Sequence, residues 1–347
     1  MPHTTPGFVA VGLRTLRRPA ATAGRAALAA MLAAFTLAST SVAHGAQADT
    51  PSVRMDAPAN GPRSARPRIV PGARGEALHA VRHTRLRLAT GVELHVAEAG
   101  PIDGMPVLFL HGYTDSWFSW SPMLERLPGG IRAIVPTQRG HGDSERPACC
   151  YGLADFAADA VALLDTLGID RAAVVGHSLG SFVAQRIAID RPDRVTRLVL
   201  IASGFSGRVD PVLEMYDAAR TLTDPVDPAF IRAFQESTAA KPLPSEFMDR
   251  VIVESGKLPA RVWHDVMSSL IDADASDELH RIEMPTLVLW GDRDAVFVRR
   301  DQDALLEAIP GSRLIVYPGV GHAPNWERPD RVAADLAAFL RAGRAGS

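Results

Sequence analysis

The most informative segment of this sequence reads Val174-Val175-Gly176-His177-Ser178-Leu179-Gly180. Small apolar residues at 171–175 predict a buried strand before it, and the composition of residues 179–189 predicts a helix after it. A serine with a glycine two places before it and two places after it, at a strand-to-helix junction, is typical of a nucleophile elbow. The turn is too tight for side chains at the glycine positions, and the serine backbone is strained. Ser178 is therefore the predicted nucleophile.

A nucleophilic serine needs a base, an acid that orients the base, and donors for an oxyanion. Around an elbow of this kind they follow in the order serine, acid, histidine, at the carboxyl ends of strands. One predicted strand ends just before Asp292 and Asp294, and the next ends shortly before His322. Upstream, a strand ends at His111-Gly112, where a second oxyanion donor is expected. The sequence thus supplies each group in the required order.

On these motifs the chain resembles an α/β-hydrolase with a helical cap, over roughly residues 78–345. The resemblance implies an α/β fold with a mostly parallel sheet and helices on both faces. It also implies that Asp294, not Asp292, is the acid and that the backbone N–H groups of Tyr113 and Leu179 form the oxyanion hole. The motifs are His111-Gly112, Arg139-Gly140-His141-Gly142-Asp143-Ser144, Gly176-His177-Ser178-Leu179-Gly180, Gly291-Asp292-Arg293-Asp294 and Gly321-His322. Many relatives carry an aspartate where this chain has Thr137, which changes a loop contact and leaves the triad intact.

The start of the chain has the pattern of a secretory signal peptide, assigned to residues 1–48. It contains four arginines and no acidic residue, then an alanine-rich apolar run and the cleavage signature Ala46-Gln47-Ala48. Export to the periplasm or the medium is expected, by the general or the twin-arginine route, and an uncleaved anchor is the alternative. Residues 49–77, rich in proline, arginine, glycine and alanine, are expected to be a disordered linker.

The remaining chain is divided into a hydrolase core and a cap. The core comprises residues 78–205 and 281–347, where predicted strands and helices alternate as in a parallel sheet covered on both faces. Residues 206–280 break that alternation and predict helices that start near Val209, Pro228, Ser245 and Pro259. This insertion is the predicted helical cap. Two or three of its large apolar side chains, together with Tyr113, are expected to face a substrate.

Composition and charge narrow the function. A net charge of −2 gives no reason to expect nucleic acid as a partner, and no membrane span is expected in the mature chain. His111, His141 and His177 lack metal-ligand spacing, so neither a metal nor a cofactor is expected. Cys149 and Cys150 are adjacent, and a disulfide between them is not expected. The expected partner is a small-molecule substrate, and the oligomeric state is left open.

The function predicted from these patterns is hydrolysis of a carboxylic ester or lactone of a fairly apolar small molecule, through an acyl-enzyme on Ser178. Cofactor-free perhydrolase or haloperoxidase activity, or C–C bond hydrolysis, would use the same triad and stays open. A non-catalytic binding protein is the alternative from another class. Within the family that the chain resembles, a serine at the elbow argues against epoxide hydrolases and haloalkane dehalogenases, which have aspartate there.

Overall fold

The computed structural model describes residues 80–342, and in this range eight strands form one sheet. The predicted signal peptide and the whole of the predicted linker lie outside the described residues. The strands are β1 Arg82–Arg87, β2 Glu93–Ala99, β3 Met105–Leu110, β4 Ile131–Pro136, β5 Ala172–His177, β6 Val195–Ile201, β7 Thr286–Gly291 and β8 Arg313–Tyr317. No helix in residues 80–342 combines the length and the hydropathy that a bilayer span requires.

Ten α-helices accompany the sheet within the same range, and four of them lie between β6 and β7. These four fall in the segment for which the sequence predicts a cap, and we call them the cap helices; the division into domains stays a prediction. The helices are α1 Ser121–Leu124, α2 Leu153–Thr166, α3 Leu179–Asp190, the cap helices α4 Asp210–Ala219, α5 Pro228–Ser237, α6 Ser245–Ser255 and α7 Ala260–Ile271, then α8 Arg299–Ala308, α9 Pro324–Glu327 and α10 Pro329–Arg341.

The sheet has the order β1-β2-β4-β3-β5-β6-β7-β8, and every pair from β4 to β8 is parallel. The first two strands form an antiparallel hairpin. Strand β5 lies centrally and is buried along its whole length. The mostly parallel sheet confirms the fold class predicted from the sequence. The prediction was possible because parallel strands covered on both faces are mostly apolar, as β3, β5 and β6 are here.

The two faces of the sheet bury different helices. Leu108 and Val174 face the core that contains α2 and α3, whereas Phe109 and Val175 face the core that contains α1 and α10. The alternation follows from the two-residue period of a strand. Since both faces are covered, the polar groups that follow β3, β5, β7 and β8 meet at one edge of the sheet. That edge is where the predicted site residues lie.

Three local expectations are corrected by the structure. The predicted helix at 118–127 is a 3₁₀ turn, Trp117–Trp120, followed by the four residues of α1. Helix α8 was not predicted, because Leu305 is its one buried apolar residue and its sequence is otherwise charged. Cys149 and Cys150 are disulfide-bonded, contrary to expectation; the chain turns at Cys150, where φ is +74°, so that the two side chains meet.

Candidate active site

The elbow places Ser178 between β5 and α3 with φ of +50° and ψ of −121°. This left-handed conformation is rare for a residue with a side chain. A Cβ on Gly176 would lie 2.2 Å from the carbonyl oxygen of Gly180, and a Cβ on Gly180 would lie 2.2 Å from that of Leu110. No side chain fits at such distances, so both glycines are required. The turn therefore presents Ser178 where the sequence predicts the nucleophile.

Three predicted catalytic residues are brought together in a hydrogen-bonded chain. Ser178 Oγ lies 2.9 Å from His322 Nε2, and His322 Nδ1 lies 3.0 Å from each carboxylate oxygen of Asp294. A carboxylate only accepts, so Nδ1 carries the proton and Nε2 is left to accept the serine proton. Asp294 and His322 are both buried. The arrangement is that of a nucleophile with its base and an acid that fixes the base's tautomer.

The two aspartates that follow β7 have separate places. Asp294 Oδ1 accepts the backbone N–H groups of Val296 and Phe297, at 2.8 and 3.1 Å, which holds its carboxylate toward His322. Asp292 Oδ1 instead accepts the N–H of Gly319 at 2.6 Å on the partly exposed side of the turn. The chain turns between them, so the two carboxylates diverge. Only Asp294 of this pair reaches the histidine.

The loop that carries His322 is held from two sides through its own backbone. Its N–H donates to the carbonyl of Thr238, just after cap helix α5, at 2.8 Å. Its carbonyl accepts a hydrogen bond of 2.9 Å from Nε2 of His177, the residue before the nucleophile. A Cβ on Gly321 would come within 2.6 Å of the Ala240 nitrogen. The base is thus positioned jointly by the elbow and the cap, a contact with no local sequence signal.

The predicted oxyanion donors lie on both sides of the elbow. Among the described residues no acceptor bonds the backbone N–H of Tyr113 or Leu179, and Leu179 is the first residue of α3. A helix N-terminus with free N–H groups favours an anion. His111 fixes the Tyr113 turn, because Nδ1 donates to the carbonyl of Gly112 and Nε2 accepts the N–H of Gln138, both at 2.9 Å. Burial lowers the pKa of His111 well below its usual value, so the ring is neutral.

A cavity of about 660 Å³ opens over Ser178 and His322, between the core and the cap helices. Its wall is mostly apolar and includes Met215, Phe234, Met267, Leu270, Val296 and Phe297. Four of these six residues, Met215, Phe234, Met267 and Leu270, lie on cap helices, against the two or three that were expected. Tyr113 also lines it, while its hydroxyl donates to the carbonyl of Trp263 at 2.6 Å. Trp120 packs instead against Phe109 under the sheet.

Two polar residues of the cavity wall were missed from the sequence. Asp115 is 3% exposed, and Gln235 on α5 is 1% exposed. The Gln235 amide donates to Thr114 Oγ1 at 3.0 Å and to Asp115 Oδ1 at 3.2 Å. Asp115 could have been predicted to lie near the site, because it is an acidic residue only two positions after Tyr113, the expected oxyanion donor. Gln235 lies in the cap, and its approach to this turn depends on tertiary packing alone.

Comparison with known proteins agrees with this architecture. A family model described as the alpha/beta hydrolase fold matches residues 105–329, and the chain belongs to that family. The chain is 37% identical over 167 residues to epoxide hydrolase 2 of Siraitia grosvenorii, an alignment that spans 47% of this chain and about half, 51%, of that enzyme.

Two further relatives match over longer stretches. A non-heme chloroperoxidase of Streptomyces lividans is 28% identical over 276 residues, which cover 72% of this chain and 97% of the relative. The solved structure of a thermophilic esterase from Thermogutta terrifontis superposes with a TM-score of 0.64 at 25% identity, over 75% of this chain and 98% of that one. The relatives of the chain thus include esterases, epoxide hydrolases and haloperoxidases.

Proposed function

We propose that the protein is a serine hydrolase that cleaves a carboxylic ester or lactone of a fairly apolar small molecule through an acyl-enzyme on Ser178. The observation that carries the proposal is the hydrogen-bonded chain from Ser178 through His322 to Asp294. The floor of an apolar cavity is formed by the first two of these side chains. A nucleophile, its base and an orienting acid at the bottom of such a cavity are the parts that acyl transfer requires.

The chemistry follows from the positions of the groups. Ser178 Oγ attacks the carbonyl carbon while its proton moves to His322 Nε2, and Asp294 stabilises the imidazolium. The N–H groups of Tyr113 and Leu179 bind the oxyanion. The intermediate then releases the alcohol, which takes the proton from His322. Water then attacks the acyl-enzyme and gives its proton to His322 Nε2. The carboxylic acid leaves, and His322 returns the proton to Ser178 Oγ. No cofactor takes part in this sequence.

The cavity indicates what kind of substrate it accepts. The apolar wall residues of α4, α5 and α7 would bury an alkyl or aryl group, at about 25 cal/mol per Å² of apolar surface. The cations Arg293 and Lys241 also line the cavity, and both are exposed to solvent. We therefore propose a neutral, compact ester or lactone whose apolar part points toward the cap helices.

Perhydrolysis is the second candidate, and the chloroperoxidase relative favours it because the alignment covers nearly all of that protein. Hydrogen peroxide would then replace water as acceptor of the acyl group, giving a peracid and free Ser178. Opening of an epoxide is not proposed, since the elbow residue is a serine. The ratio of peracid to carboxylic acid released from one ester at increasing peroxide concentration separates the two reactions.

The test of the proposal is covalent labelling by a fluorophosphonate. Wild type should be labelled on Ser178, and Ser178→Ala should lose both labelling and ester hydrolysis, with kcat falling by about 10⁶. Ser181→Ala is the matched control. That serine lies one helical turn away, where its hydroxyl donates to Ser178 O at 2.6 Å, and the variant should still be labelled. Labelling of the Ser178→Ala protein would contradict the proposal.

We also propose that the enzyme acts outside the cytoplasm, on the strength of the arginine-rich, alanine-rich and small-residue order of residues 1–48. The exported protein should begin near Asp49 or His44. N-terminal sequencing of periplasmic and secreted fractions measures this directly. A cytosolic enzyme that still begins at Met1 would contradict export.

A further inference from the structure

Two buried ionisable groups beside the triad have no part in the reaction described so far. Asp115 lines the cavity together with Ser178 and His322, and His177 is the residue before the nucleophile. The two side chains are 3% and 2% exposed. Asp115 Oδ2 lies 4.0 Å from His177 Nδ1. A Cβ on Gly112 would contact both atoms, at 3.0 and 3.1 Å, so the absence of a side chain there lets them face each other.

The hydrogen bonds of His177 fix which of its nitrogens carries a proton. Nε2 lies 2.9 Å from the carbonyl oxygen of His322, and a carbonyl only accepts, so Nε2 is protonated. In a neutral ring Nδ1 is then an acceptor. Among the described residues no donor bonds to it, and the polar group that faces it is the Asp115 carboxyl.

An ionised Asp115 opposite a neutral His177 would place two acceptors face to face in a buried site, which is unfavourable. One additional proton removes the conflict. It can lie on Asp115 Oδ2, which then donates toward Nδ1, or on Nδ1, which then pairs with the carboxylate. In both arrangements the pair is neutral as a whole. At a separation of 4.0 Å the two groups interact through their charges and not through a hydrogen bond, and the buried site therefore favours one additional proton on the pair.

We propose that Asp115 and His177 share one proton and that the enzyme hydrolyses esters only while the pair retains it. The proposal rests on the proposed acyl-enzyme function. Tyr113, one oxyanion donor, lies two residues before Asp115, and Leu179, the other, lies two residues after His177. A negative charge on the pair would repel the oxyanion in a site that excludes much of the water. The protonation state of the pair thus affects the transition state through the charge that the pair carries. Asp115 and His177 are positioning residues, and their shared proton is not transferred in the reaction.

The groups around Asp115 leave it without a compensating cation. Gln235 on α5 donates to it and is uncharged, while Tyr113 and His111 are buried and neutral. The loop after β8 carries one more titratable neighbour, His322, whose positive charge would lower the pKa of Asp115. Burial raises the pKa of Asp115 to about 7. Burial and then the neighbouring His322 lower the pKa of His177 to about 3, so the proton rests on Asp115.

The experiment is the pH profile of kcat/KM on a neutral activated ester. In wild type kcat/KM should fall about tenfold per pH unit above neutrality as Asp115 ionises. Asp115→Asn should abolish the alkaline fall, because the amide is uncharged at every pH and can donate to His177. Asp301→Asn is the matched control. Asp301 is also buried with a raised pKa, yet its carboxylate accepts the N–H of Val298 just before α8 and does not line the cavity, so the fall should remain.

A second variant keeps the proposal testable if Asp115→Asn folds poorly. Gln235→Met removes one of the hydrogen bonds that favour ionised Asp115, the other coming from the backbone of Gly112, so it should move the alkaline fall to higher pH. An infrared difference spectrum, wild type minus Asp115→Asn, should show a protonated carboxyl band that disappears over the same pH range as the activity.

Three outcomes would decide against the proposal. An alkaline fall that persists unchanged in Asp115→Asn overturns it, as does a wild-type profile with no fall, or a fall that Gln235→Met leaves in place. Fluorophosphonate labelling of Ser178 is measured on the same samples. Labelling without the alkaline fall overturns the shared proton and leaves the serine hydrolase function standing. Wild type that is not labelled overturns the function itself.

Discussion

The core and the cap contribute to the same cavity by different means. On the core side, the elbow is fixed by backbone contacts in which a single Cβ on Gly176 or Gly180 would lie 2.2 Å from a carbonyl oxygen. On the cap side, α4, α5 and α7 present Met215, Phe234 and Met267, which are held by packing. We therefore expect the rate of the chemical step to depend on a few core positions that tolerate no added side chain. We expect substrate selectivity to depend on several cap side chains that can be exchanged.

The separation has exceptions, and two of them lie near the end of α5. The carbonyl of Thr238 accepts the N–H of His322, and the amide of Gln235 donates to Asp115. The cap therefore reaches the predicted base through backbone, and it reaches the turn that carries Tyr113 through the Gln235 side chain and the Trp263 carbonyl. Changes in the core and in the cap should accordingly differ in size and in kind.

After the loss of Ser178 itself, the largest effect is expected for Asp294→Asn in the core. The amide would hold the imidazole of His322 in the wrong tautomer, and in a serine protease the corresponding change lowers kcat by about 10⁴. Asp292→Asn is the matched control, because its carboxylate bonds Gly319 and not the histidine. It should cost about 1 kcal/mol of stability or less and leave kcat nearly unchanged.

These two variants should be compared by kcat on one activated ester, with thermal melts to show that both are folded. If Asp292→Asn were inactive while Asp294→Asn kept its activity, the orienting acid would be Asp292, two residues before the one that the geometry indicates.

The next largest effect is expected for Gly180→Ala, which tests how rigid the core side is. The added Cβ would lie 2.2 Å from the Leu110 carbonyl, so β3 and α3 must separate and the free energy of unfolding should fall by more than about 4 kcal/mol. Gly256→Ala at the end of cap helix α6 is the control. Its φ of −66° suits alanine, so its stability should change by less than about 1 kcal/mol. Urea unfolding of both proteins measures the difference, and equal losses would refute the contrast.

The same contrast explains how much could be predicted from the sequence. Ser178, Asp294 and His322 stand in short motifs with glycine, because tight turns leave a local record of their geometry. The strands were also predicted within a few residues, since buried parallel strands have an apolar composition. The site residues on the core side were thus readable before the structure.

The contacts of the cap were not readable, for a physical reason. Gln235 lies on an amphipathic helix like any other polar residue, and its distance of 3.2 Å from Asp115 arises from packing between segments 120 residues apart. Helix α8 was missed because it buries little apolar surface. No local pattern encodes such tertiary contacts. Asp115, which follows directly after the oxyanion turn, had a signal and should have been considered.

A smaller effect is expected for Phe234→Leu on the cap side. Phe234 lines the cavity and packs edge-on against Tyr113 and Trp263, so the smaller side chain should enlarge the pocket for the apolar part of the substrate. The ratio of kcat/KM for a longer and a shorter ester should shift by about tenfold. Labelling by a small fluorophosphonate should keep its rate. Phe230→Leu is the control. Phe230 lies on the same helix and also packs against Trp263, but it does not line the cavity, so the ratio should stay unchanged.

The smallest effect is expected where the cap is tied to the core by charge. Lys257, just after α6, donates to Asp143 Oδ1 at 2.9 Å and also bonds Glu254, which is 1% exposed. Asp143→Asn should therefore cost less than about 1 kcal/mol, because the pair is partly exposed and Lys257 keeps Glu254. The hydrogen bond from Lys257 lowers the pKa of Asp143 below its usual value.

A carboxyl with a lowered pKa stabilises the fold above its ordinary pKa, and this stabilisation is lost as the pH falls through the lowered value. The difference in stability between wild type and Asp143→Asn should hence be present at neutral pH and vanish in strong acid, and added salt should shrink it. Denaturant melts across pH measure this, with Asp193→Asn, from an exposed pair with Arg191 on the core, as the control. A loss in Asp143→Asn that persisted in strong acid could not come from this ion pair. The cap would then be held to the core at this point by packing, as it is by its apolar side chains elsewhere.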